Sequence, residues 1–545
     1  MKVKNKIIIG LTIGTLSLFY AFKDPYFEIS KNLEIFTTIY QKLNTNYVDE
    51  VEPGNLMDAA INAMLKKLDP YTNYIPESKV EDYRIRTNGS YGGVGATIVK
   101  INDYVVISEV YENAPAQKAG IIPGDKIVQI NKNNAKGKST KEIGDMLKGQ
   151  ADTEISVVVE RYGKEKTFKI NRGEVDVPSI PYSGIIAEGI GYIRLKSFTR
   201  NCAKEVGQVF DILKTESNIT SLVIDLRGNP GGLLSEAIDM CNLFIPNNEL
   251  VVTTKGKLKQ HTKSYKTSKK PMDTNMPIVV LVDQGSASAS EIVSGTFQDI
   301  ERGVVLGKQT FGKGLVQQTM PMPYNAQVKI TTAKYYTPSG RCIQAIDYSS
   351  RNADGSVGKI ADSLRTEYTT RGGRTVYDGG GVQPDVDVEL KEYPSIILTL
   401  IQEFHLFDFA NNYAQMHESI DEALNFEISD ELYNQFVAFL KERDYSYETN
   451  TEKAFDLLEE TAKDEEYLAG IQADLEALKT KYESQKNNDI EKYKEEIKEF
   501  LIDEIVLRYY YRRGQIQVGL KYDPVAQKAI EILNNPEEYN KILKP

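Results

Sequence analysis

Four serines stand close together in one segment of small residues, DQGSASASEIVSG (283–295): Ser286, Ser288, Ser290 and Ser294. The apolar run PIVVLV comes directly before this segment, and a helix-like pattern follows it. A turn of small residues between a buried strand and a helix is a good place to present a nucleophile. The question is whether one of these serines is a nucleophile, and which group would accept its proton.

Histidine is a poor candidate for that group. The chain has three histidines: His405 and His417 lie in an acidic helical region, and His261 lies in the basic segment KGKLKQHTKSYKTSKK. None belongs to a compact motif, which disfavours a Ser-His-Asp arrangement. The sequence also lacks H-E-x-x-H and G-x-S-x-G. One Ser-x-x-Lys match, Ser356 with Lys359, has no K-T-G downstream and is best explained by chance.

A lysine is the remaining candidate for the general base. It must be neutral to accept a proton, and burial in an apolar site lowers its pKa from the usual value of about 10.4. Lys313 stands between Gly312 and Gly314 and between two apolar segments, which suits a buried amine. Gln317 would share its face of a strand and could orient the amine. From local features alone, Lys313 is explained equally well as a buried general base and as a lysine that caps a turn near the surface.

A glycine-rich turn, DLRGNPGG (225–232), follows the apolar segment SLVI and precedes a helical pattern. Backbone N–H groups of glycines at a helix start form an anion-binding nest, which could hold the oxyanion of an acyl-transfer reaction. Phosphate sites and plain tight turns have the same pattern, so this turn alone does not define a reaction.

Taken together and in order, these segments resemble the carboxy-terminal processing (tail-specific) serine proteases. DLRGNPGGLLSEA, GSASASEI and TFGKGLVQQ are similar to the three core motifs of that family. Upstream, GSYGGVGATI and APAQKAGIIPGDKIVQINKNN resemble its PDZ domain. The resemblance covers roughly residues 30–390. It implies a multidomain α/β protein: a PDZ domain and a crotonase/Clp-protease-like α/β serine protease core, accompanied here by an N-terminal helical region and an acidic α-helical C-terminal domain.

The resemblance also implies roles for individual residues. Ser288 would be the nucleophile, Lys313 the general base, and Gln317 the residue that positions the lysine. The oxyanion would be held by the N–H of Ala289 and by a glycine of the GNPGG turn, for which we choose Gly231. Gly228 and Gly232 remain alternatives for that second donor.

The other polar residues of the serine segment have simpler interpretations. Ser286, Ser290 and Ser294 are expected to pack or to cap the helix. Glu291, in the first helical turn, is expected to act as a favourable charge at the helix N-terminus.

In PDZ domains a peptide adds as an extra strand, and its terminal carboxylate meets the N–H groups of a glycine-rich loop. The corresponding loop here would be Tyr91, Gly92, Gly93 and Val94, leading into the strand GATIVKI. An ordinary hairpin turn is the alternative for these glycines. The implied partners are protein substrates with accessible, apolar C-termini, and the implied mechanism needs no cofactor and no metal.

At 545 residues the chain is too long for one core. Its net charge of −11 argues against a nucleic-acid partner. Residues 393–545 contain 17 Lys+Arg and 32 Asp+Glu, a charge of −15, which leaves +4 for residues 1–392. We therefore predict five regions, listed from the N-terminus: a signal peptide or signal anchor (1–24), a helical region (25–83), a PDZ domain (84–175), a protease core (176–392) and a helical domain (393–545).

Both ends of the chain leave alternatives open. Three lysines at positions 2, 4 and 6 precede an apolar stretch from Ile7 to Phe22, which predicts export to the periplasm, with or without anchoring in the inner membrane. For residues 393–545, a homodimerisation or adaptor-binding module and a packing buttress for the protease are equal expectations. The three cysteines, Cys202, Cys241 and Cys342, are far apart and indicate core filling rather than a disulfide or a metal site.

Two other classes of protein compete with a protease. A catalytically silent PDZ scaffold or chaperone has no need of the Ser288, Lys313 and Gln317 set. An acyl-CoA-binding enzyme of the crotonase kind would use similar strand–helix turns and N–H nests, but the PDZ segment and the export signal disfavour it.

Overall fold

The computed structural model describes residues 25–348, 351–352, 356–443 and 445–544. The predicted export segment, residues 1–24, lies outside them. The chain divides into two units: one contains the N-terminal residues up to Pro76 together with Thr319–Thr331, and the other contains Glu77–Gln318 and the chain from Thr332 onward.

The first unit is mostly helical, in agreement with the helical region predicted after the export segment. Helix α1 spans Pro25–Asn46 and helix α2 spans Pro53–Lys66. Proline at the first position of α2 is preorganised for a helix and has no N–H to leave unsatisfied. Strand β1 (Asn73–Ile75) pairs in antiparallel fashion with residues 327–329.

The second unit begins with helix α3 (Glu77–Asn88) and continues into an antiparallel sheet with the order β3-β4-β5-β7-β8, in which β6 pairs with β5. Helices α4 (Pro115–Lys118) and α5 (Thr140–Leu147) accompany this sheet, and a capping box of Ser139 and Glu142 starts α5. The strands in this part of the chain are β2 (Ser90–Gly93), β3 (Ala96–Ile101), β4 (Tyr104–Val110), β5 (Lys126–Ile130), β6 (Asn133–Asn134), β7 (Glu154–Arg161), β8 (Lys164–Asn171) and β9 (Gly173–Asp176).

A six-stranded sheet, ordered β10-β11-β12-β15-β16-β21, forms the centre of the second unit. Strands β11, β12, β15, β16 and β21 run parallel, while β10 is antiparallel at one edge. Every residue of SLVID in β12 and IVVLV in β15 is buried, as expected for parallel strands covered on both faces. The strands are β10 (Tyr182–Ala187), β11 (Ile190–Arg194), β12 (Ser221–Asp225), β15 (Ile278–Val282), β16 (Val304–Gly307) and β21 (Val386–Asp387).

The crossover helices of this sheet are α6 (Cys202–Glu216), α7 (Leu234–Phe244) and α8 (Ala289–Asp299). The helical patterns predicted after the glycine-rich turn and after the serine segment are confirmed by α7 and α8, whereas α6 was not predicted. The remaining strands are β13 (Leu250–Gly256), β14 (Lys263–Lys266), β17 (Leu315–Pro321), β18 (Gln327–Tyr336), β19 (Glu367–Thr369) and β20 (Thr375–Tyr377). Strand β13 pairs with both β14 and β18. The predicted mixed α/β core is thus confirmed.

The described residues between 395 and 543 are mostly helical, as their periodicity predicts. The helices are α9 (Ser395–Gln402), α10 (His405–Met416), α11 (Asp430–Lys441), α12 (Asn450–Asp464), α13 (Leu468–Lys486), α14 (Asp489–Lys492), α15 (Lys494–Gly519), α16 (Pro524–Leu533) and α17 (Pro536–Leu543). Much of this region forms its own apolar cluster around Phe409, Phe436 and Leu501. Within the residues described above, no helix combines the length and the apolar character needed to cross a membrane.

The two faces of the central sheet are covered by different parts of the chain. Helices α6, α7 and α8 cover one face, where Phe210, Phe244 and Phe297 pack together. The other face packs against the end of the chain, including Val525 and Ile532. Residues 516–543 therefore act as a packing buttress for the sheet, which was one of the two expectations for this region.

Candidate active site

The serine segment forms the turn from β15 into α8. Ser288 occupies the N-cap position with φ 56° and ψ −109°, a backbone conformation that non-glycine residues rarely adopt. Such strain persists only where the surrounding structure holds it, and it is concentrated at functional sites. Ser288 is also the one serine of the four that is not fully buried. The turn therefore presents Ser288 in a strained and accessible position.

The other three serines face the protein interior. Ser286 Oγ donates to the carbonyl oxygen of Leu226 (2.8 Å), and Ser290 Oγ donates to that of Asn229 (2.9 Å). Ser294 is buried within α8. Ser286 and Ser290 thus attach the serine turn to the glycine-rich turn.

Glu291 holds the nucleophile turn and the lysine loop together. Its carboxylate is buried, and Oε2 accepts hydrogen bonds from the backbone N–H of Ser288 (2.7 Å) and of Lys313 (2.9 Å). Its Oε1 accepts from Thr310 Oγ1 (2.6 Å) and from the N–H of Gly312 (2.7 Å). Burial raises the pKa of Glu291, and these donors oppose the rise. The sequence indicated a charge at a helix start and missed this link.

Tyr335 provides a second link between the same two segments. This buried residue of β18 donates its hydroxyl to the carbonyl oxygen of Lys313 (2.7 Å), and the carbonyl oxygen of Ser288 lies 3.1 Å away. Glu291 and Tyr335 therefore bring the backbones of Ser288 and Lys313 to one place. No sequence motif points to Tyr335.

Lys313 is partly buried and lies in the loop before β17. Its glycine neighbours make the close approach that the sequence predicts: a Cβ on Gly312 would lie 2.4 Å from the Cβ of Ala345, and one on Gly314 would lie 2.8 Å from the N of Gln344. Gln317 lies within β17. Because that strand begins at Leu315, the alternation of side chains along a strand does not relate Gln317 to Lys313.

The GNPGG turn packs directly against the nucleophile. Gly231 has φ +97°, and a Cβ there would lie 2.6 Å from the carbonyl oxygen of Ala287 and 2.9 Å from the Cβ of Ser288. Asn229 is buried, and its carbonyl oxygen accepts the N–H of Ala287 (3.0 Å). The two turns are therefore fixed to each other by backbone contacts.

The amides of these turns differ in availability. The N–H of Gly231 donates to Asn229 Oδ1 (2.9 Å), so Gly231 would have to break this bond to hold an oxyanion. The N–H of Gly228 donates to Asp283 Oδ1 (2.8 Å). Among the described residues, none accepts a hydrogen bond from the N–H of Gly232 or from that of Ala289, the first residue of α8.

The PDZ groove lies between β3 and α5. Strand β3 is at the edge of its sheet, and a cavity of about 520 Å³ is lined by Tyr91, Val94, Ile98, Leu147 and neighbouring residues. The predicted loop is wrong in conformation for residues 91–93, which form β2 and pair with β9. The sequence did not indicate this strand because its partner lies about 80 residues later. Only Val94 and Gly95 connect β2 to β3.

The histidines lie apart from this arrangement. The imidazole of each histidine hydrogen-bonds with a residue at most four positions away in the sequence: Gln260 for His261, Glu403 for His405 and Tyr413 for His417. Cys202 and Cys241 belong to the buried core, as expected, and Cys342 is only partly buried.

Comparison with known proteins identifies the class. Residues 189–349 match peptidase family S41, and residues 106–161 match the PDZ domain. Residues 21–78 match "Activating protease CtpB N-terminal domain", and residues 396–533 match "Probable PDZ-protease, C-terminal helical domain". The chain therefore contains a serine peptidase domain and a PDZ domain.

Curated relatives define the family. A carboxy-terminal-processing protease of Bartonella bacilliformis is 35% identical over 321 residues, which are 58% of this chain and 73% of the relative. A "Probable CtpA-like serine protease" of Staphylococcus aureus is 30% identical over 457 residues, 80% of this chain and 84% of the relative. The chain belongs to the carboxy-terminal-processing protease family, which confirms the resemblance seen in its motifs.

Solved structures were also found by similarity. The photosystem II D1 C-terminal processing protease is 26% identical, with 65% of this chain and 92% of that one covered and a TM-score of 0.35. The PDZ domain of a carboxy-terminal protease from Vibrio cholerae, solved with a peptide, is 20% identical and covers 16% of this chain and 97% of that one, with a TM-score of 0.15.

Proposed function

We propose that this protein is an exported serine endopeptidase that recognises the C-terminal tails of proteins through its PDZ domain and cleaves them with a Ser288–Lys313 dyad. The observation that carries the proposal is the joint attachment of the Ser288 and Lys313 backbones to Glu291. A binding module has no use for a strained, accessible serine fixed beside a lysine loop.

In the proposed reaction, Ser288 Oγ attacks the carbonyl carbon of the scissile bond while the neutral Lys313 amine takes the hydroxyl proton. The lysine then gives this proton to the leaving amine, and an acyl-enzyme ester remains on Ser288. Water, deprotonated by the same lysine, attacks the ester, and the lysine returns that proton to the departing Ser288 Oγ, which releases the product acid and regenerates the dyad. Gln317 orients the lysine amine during these transfers.

The oxyanion formed in each half-reaction is stabilised by backbone N–H groups. The N–H of Ala289 at the start of α8 is one donor. A glycine of the GNPGG turn supplies the other. The family resemblance favours Gly231, whose N–H would have to leave Asn229 Oδ1, while the Gly232 amide has no existing hydrogen bond to break among the described residues. The positive end of the α8 dipole adds to this stabilisation.

The proposed substrates are proteins with accessible, apolar C-terminal tails. The tail would add as a strand to the free edge of β3, and its last side chain would enter the cavity between β3 and α5. The backbone from Tyr91 to Val94 stands at one end of this groove, where the terminal carboxylate would bind.

We also propose a cellular location. The lysine-rich start followed by an apolar stretch favours export to the periplasm, with anchoring in the inner membrane as an alternative to cleavage. Fractionation of cells that produce the full chain tests this proposal. Recovery of the protein with its first residues intact in the cytoplasm would contradict it.

We also propose that the helical regions bind a partner, which is either a second copy of this chain or an adaptor protein. Helix α1 exposes large apolar side chains at spacings of three and four, namely Ile29 (54% exposed), Leu33 (60%) and Phe36 (40%). This spacing is typical of a helix that pairs with another helix. Sedimentation of the wild type and of Leu33→Lys tests the homodimer: equal monomer masses would leave an adaptor as the partner.

Incubation of residues 25–545 with an unstructured protein that ends in an apolar residue tests the reaction. We expect internal fragments by mass spectrometry, and none from Ser288→Ala or Lys313→Ala. Activity should rise toward alkaline pH as the lysine loses its proton. Cleavage by Ser288→Ala at the wild-type rate would refute the dyad.

A further inference from the structure

A residue near the C-terminus contacts the active-site turn. Asp523 Oδ2 lies 2.6 Å from Arg227 Nη2, and its Oδ1 lies 3.0 Å from Arg227 Nη1, so the pair is bidentate. The two side chains are 18% and 17% exposed, respectively. A bidentate pair between a guanidinium and a carboxylate fixes orientation as well as distance. This contact joins residues that are 296 positions apart in the sequence.

Arg227 is the residue that directly precedes the GNPGG turn. Its guanidinium also contacts Asp225 at the end of β12, with Nη2 at 2.6 Å from Oδ2. Asp225 is fully buried and accepts the hydroxyl of Tyr192 at 2.5 Å. Burial alone would raise the pKa of Asp225, but the charge and hydrogen bonds of Arg227 outweigh it and lower this pKa. Arg227 is therefore held between one carboxylate from the sheet and one from the C-terminal helices.

The C-terminal carboxylate is itself rigidly placed. Asp523 caps α16 by accepting the N–H groups of Val525 (2.9 Å) and Ala526 (3.2 Å). The following helix is bound to the sheet through Tyr539, whose hydroxyl accepts the N–H of Ile278 (3.0 Å) and lies 3.1 Å from the carbonyl oxygen of Ile278. Asp523 thus extends from a packed element rather than from a free tail.

The glycine turn transmits any shift of Arg227 to the nucleophile. Only four residues separate Arg227 from Gly232, and Gly231 packs against Ser288 with no space for a Cβ. Asn229 accepts the N–H of Ala287, so the turn cannot move without the serine segment. A displacement of about 1 Å at reacting groups costs on the order of a hundredfold in rate.

We propose that Asp523 is a positioning residue of the active site: through Arg227, the C-terminal helices hold the GNPGG turn in the place where its amide stabilises the oxyanion. This inference rests on the proposed Ser288–Lys313 reaction. It assigns the end of the chain a role in the chemical step and not only in packing.

The test compares Asp523→Asn with Asn535→Ala in residues 25–545, the chain without its predicted export segment. Asparagine caps a helix as well as aspartate does, so Asp523→Asn removes the ion pair and keeps the cap. Asn535 caps the neighbouring helix α17 and has no contact with Arg227, so Asn535→Ala controls for a small loss of helix stability. Cleavage of the tail-bearing substrate gives kcat and KM, and thermal melting reports folding.

We expect kcat of Asp523→Asn to fall about ten- to hundredfold with KM changed less than about threefold, and Asn535→Ala to keep the wild-type kcat. In the background of Arg227→Lys, the further change to Asn at position 523 should have little additional effect. If Asp523→Asn melts well below Asn535→Ala, Asp523→Glu decides: recovery of kcat supports the proposal, and a low kcat with a normal melt refutes it.

Three results would overturn the inference: a kcat of Asp523→Asn equal to that of Asn535→Ala, a loss that appears only in KM, or fully additive effects with Arg227→Lys. A different result would overturn the proposed function itself, namely wild-type cleavage by Ser288→Ala. The two failures are therefore distinguishable in one series of assays.

Discussion

The segment around Ser288 and the groove beside β3 differ in how their backbone groups are used. Around Ser288, the Glu291 carboxylate and the Asn229 carbonyl occupy the amides of neighbouring segments, and nearly every side chain is buried. Beside β3, one edge of the strand has no partner in its sheet, and the cavity next to it is open to solvent. Around Ser288, internal hydrogen bonds therefore fix the backbone on both sides of the amides of Ala289 and Gly232, whereas a whole edge of β3 is left without such bonds in the described part of the chain.

This difference follows from what each region must do. A chemical step requires reacting groups that are held in place before substrate arrives, because misplacement is costly. Recognition by an added strand requires unused N–H and C=O groups at the edge of a sheet. An apolar groove beside that edge then selects among the side chains of the added strand. Substitutions should therefore affect the two regions through different kinetic constants, kcat in the first and KM in the second.

The largest effect is expected from substitution of the two proposed catalytic residues. Ser288→Ala and Lys313→Ala should each lower kcat/KM by at least about a thousandfold, because each removes a group that no other residue replaces. Ser286→Ala, which removes a structural hydroxyl from the same turn, should retain substantial activity. Comparable losses of activity in all three variants, with normal melting curves, would mean that activity depends on the conformation of the turn and would not support the dyad.

The second-largest effect is expected for Glu291→Gln. The amide would offer an NH₂ where the carboxylate now accepts hydrogen bonds, so it should release either Ser288 or Lys313 and lower kcat on the order of 10²- to 10³-fold. Glu142→Gln changes the same helix-start position in α5 and should leave kcat unchanged. A fall confined to KM would contradict a positioning role for Glu291.

A smaller effect is expected when the C-terminus of the substrate is changed and the enzyme is not. Amidation of the substrate's C-terminus removes the charge that the backbone near Tyr91–Val94 would stabilise, an interaction of about 1.5–3 kcal/mol. We expect a ten- to hundredfold lower affinity, visible as a higher KM with unchanged kcat. Peptides too short to reach the groove provide the control, since amidation should not affect them. Equal cleavage of both forms under subsaturating conditions would rule out this mode of recognition.

The last prediction concerns stability and not activity, at a buried carboxylate that lacks the partners of Glu291. Asp503 Oδ1 is buried and, among the described residues, has no hydrogen-bond partner. Burial first, and then the nearby charge of Glu504, raise the pKa of Asp503 to about 7 from 3.8. The folded state therefore holds a proton that the unfolded state releases between about pH 4 and pH 7, so stability falls as pH rises through this window.

Asp503→Asn should remove that dependence. Relative to the wild type, its free energy of unfolding should increase between about pH 4 and pH 7 and then level off, by up to about 4 kcal/mol. Glu495→Gln, at an exposed carboxylate of the same helix, should show no such trend. Chemical denaturation at several pH values measures both, and parallel curves for wild type and Asp503→Asn would contradict the raised pKa.

Much of this organisation was predictable because its signals are local. Strands such as IVVLV and helices such as TKEIGDML follow from apolar runs, periodicity and capping residues within about ten positions. Gly312 and Gly314 beside Lys313 indicated a close approach, which the structure contains. The order of the motifs was sufficient to indicate the family.

Other features depend on distant partners. The strand at Ser90–Gly93 exists because β9 pairs with it, and residues 173–176 carry no strong strand signal. Glu291 looked like a helix-start charge because its acceptor role depends on a loop about twenty residues later. The division at residue 393 follows composition, yet residues 516–543 pack against the protease sheet.

The sequence by itself therefore determined most element types, because these depend on short-range patterns. The ordered motifs indicated the family, and the resemblance to that family indicated the candidate nucleophile and base. Only the tertiary structure decided which amides around Ser288 are occupied, and that Arg227 meets Asp523 296 positions later. The physical reason is that a buried polar group takes whichever partner folding brings within about 3 Å. That partner depends on how whole elements pack, which no local pattern specifies.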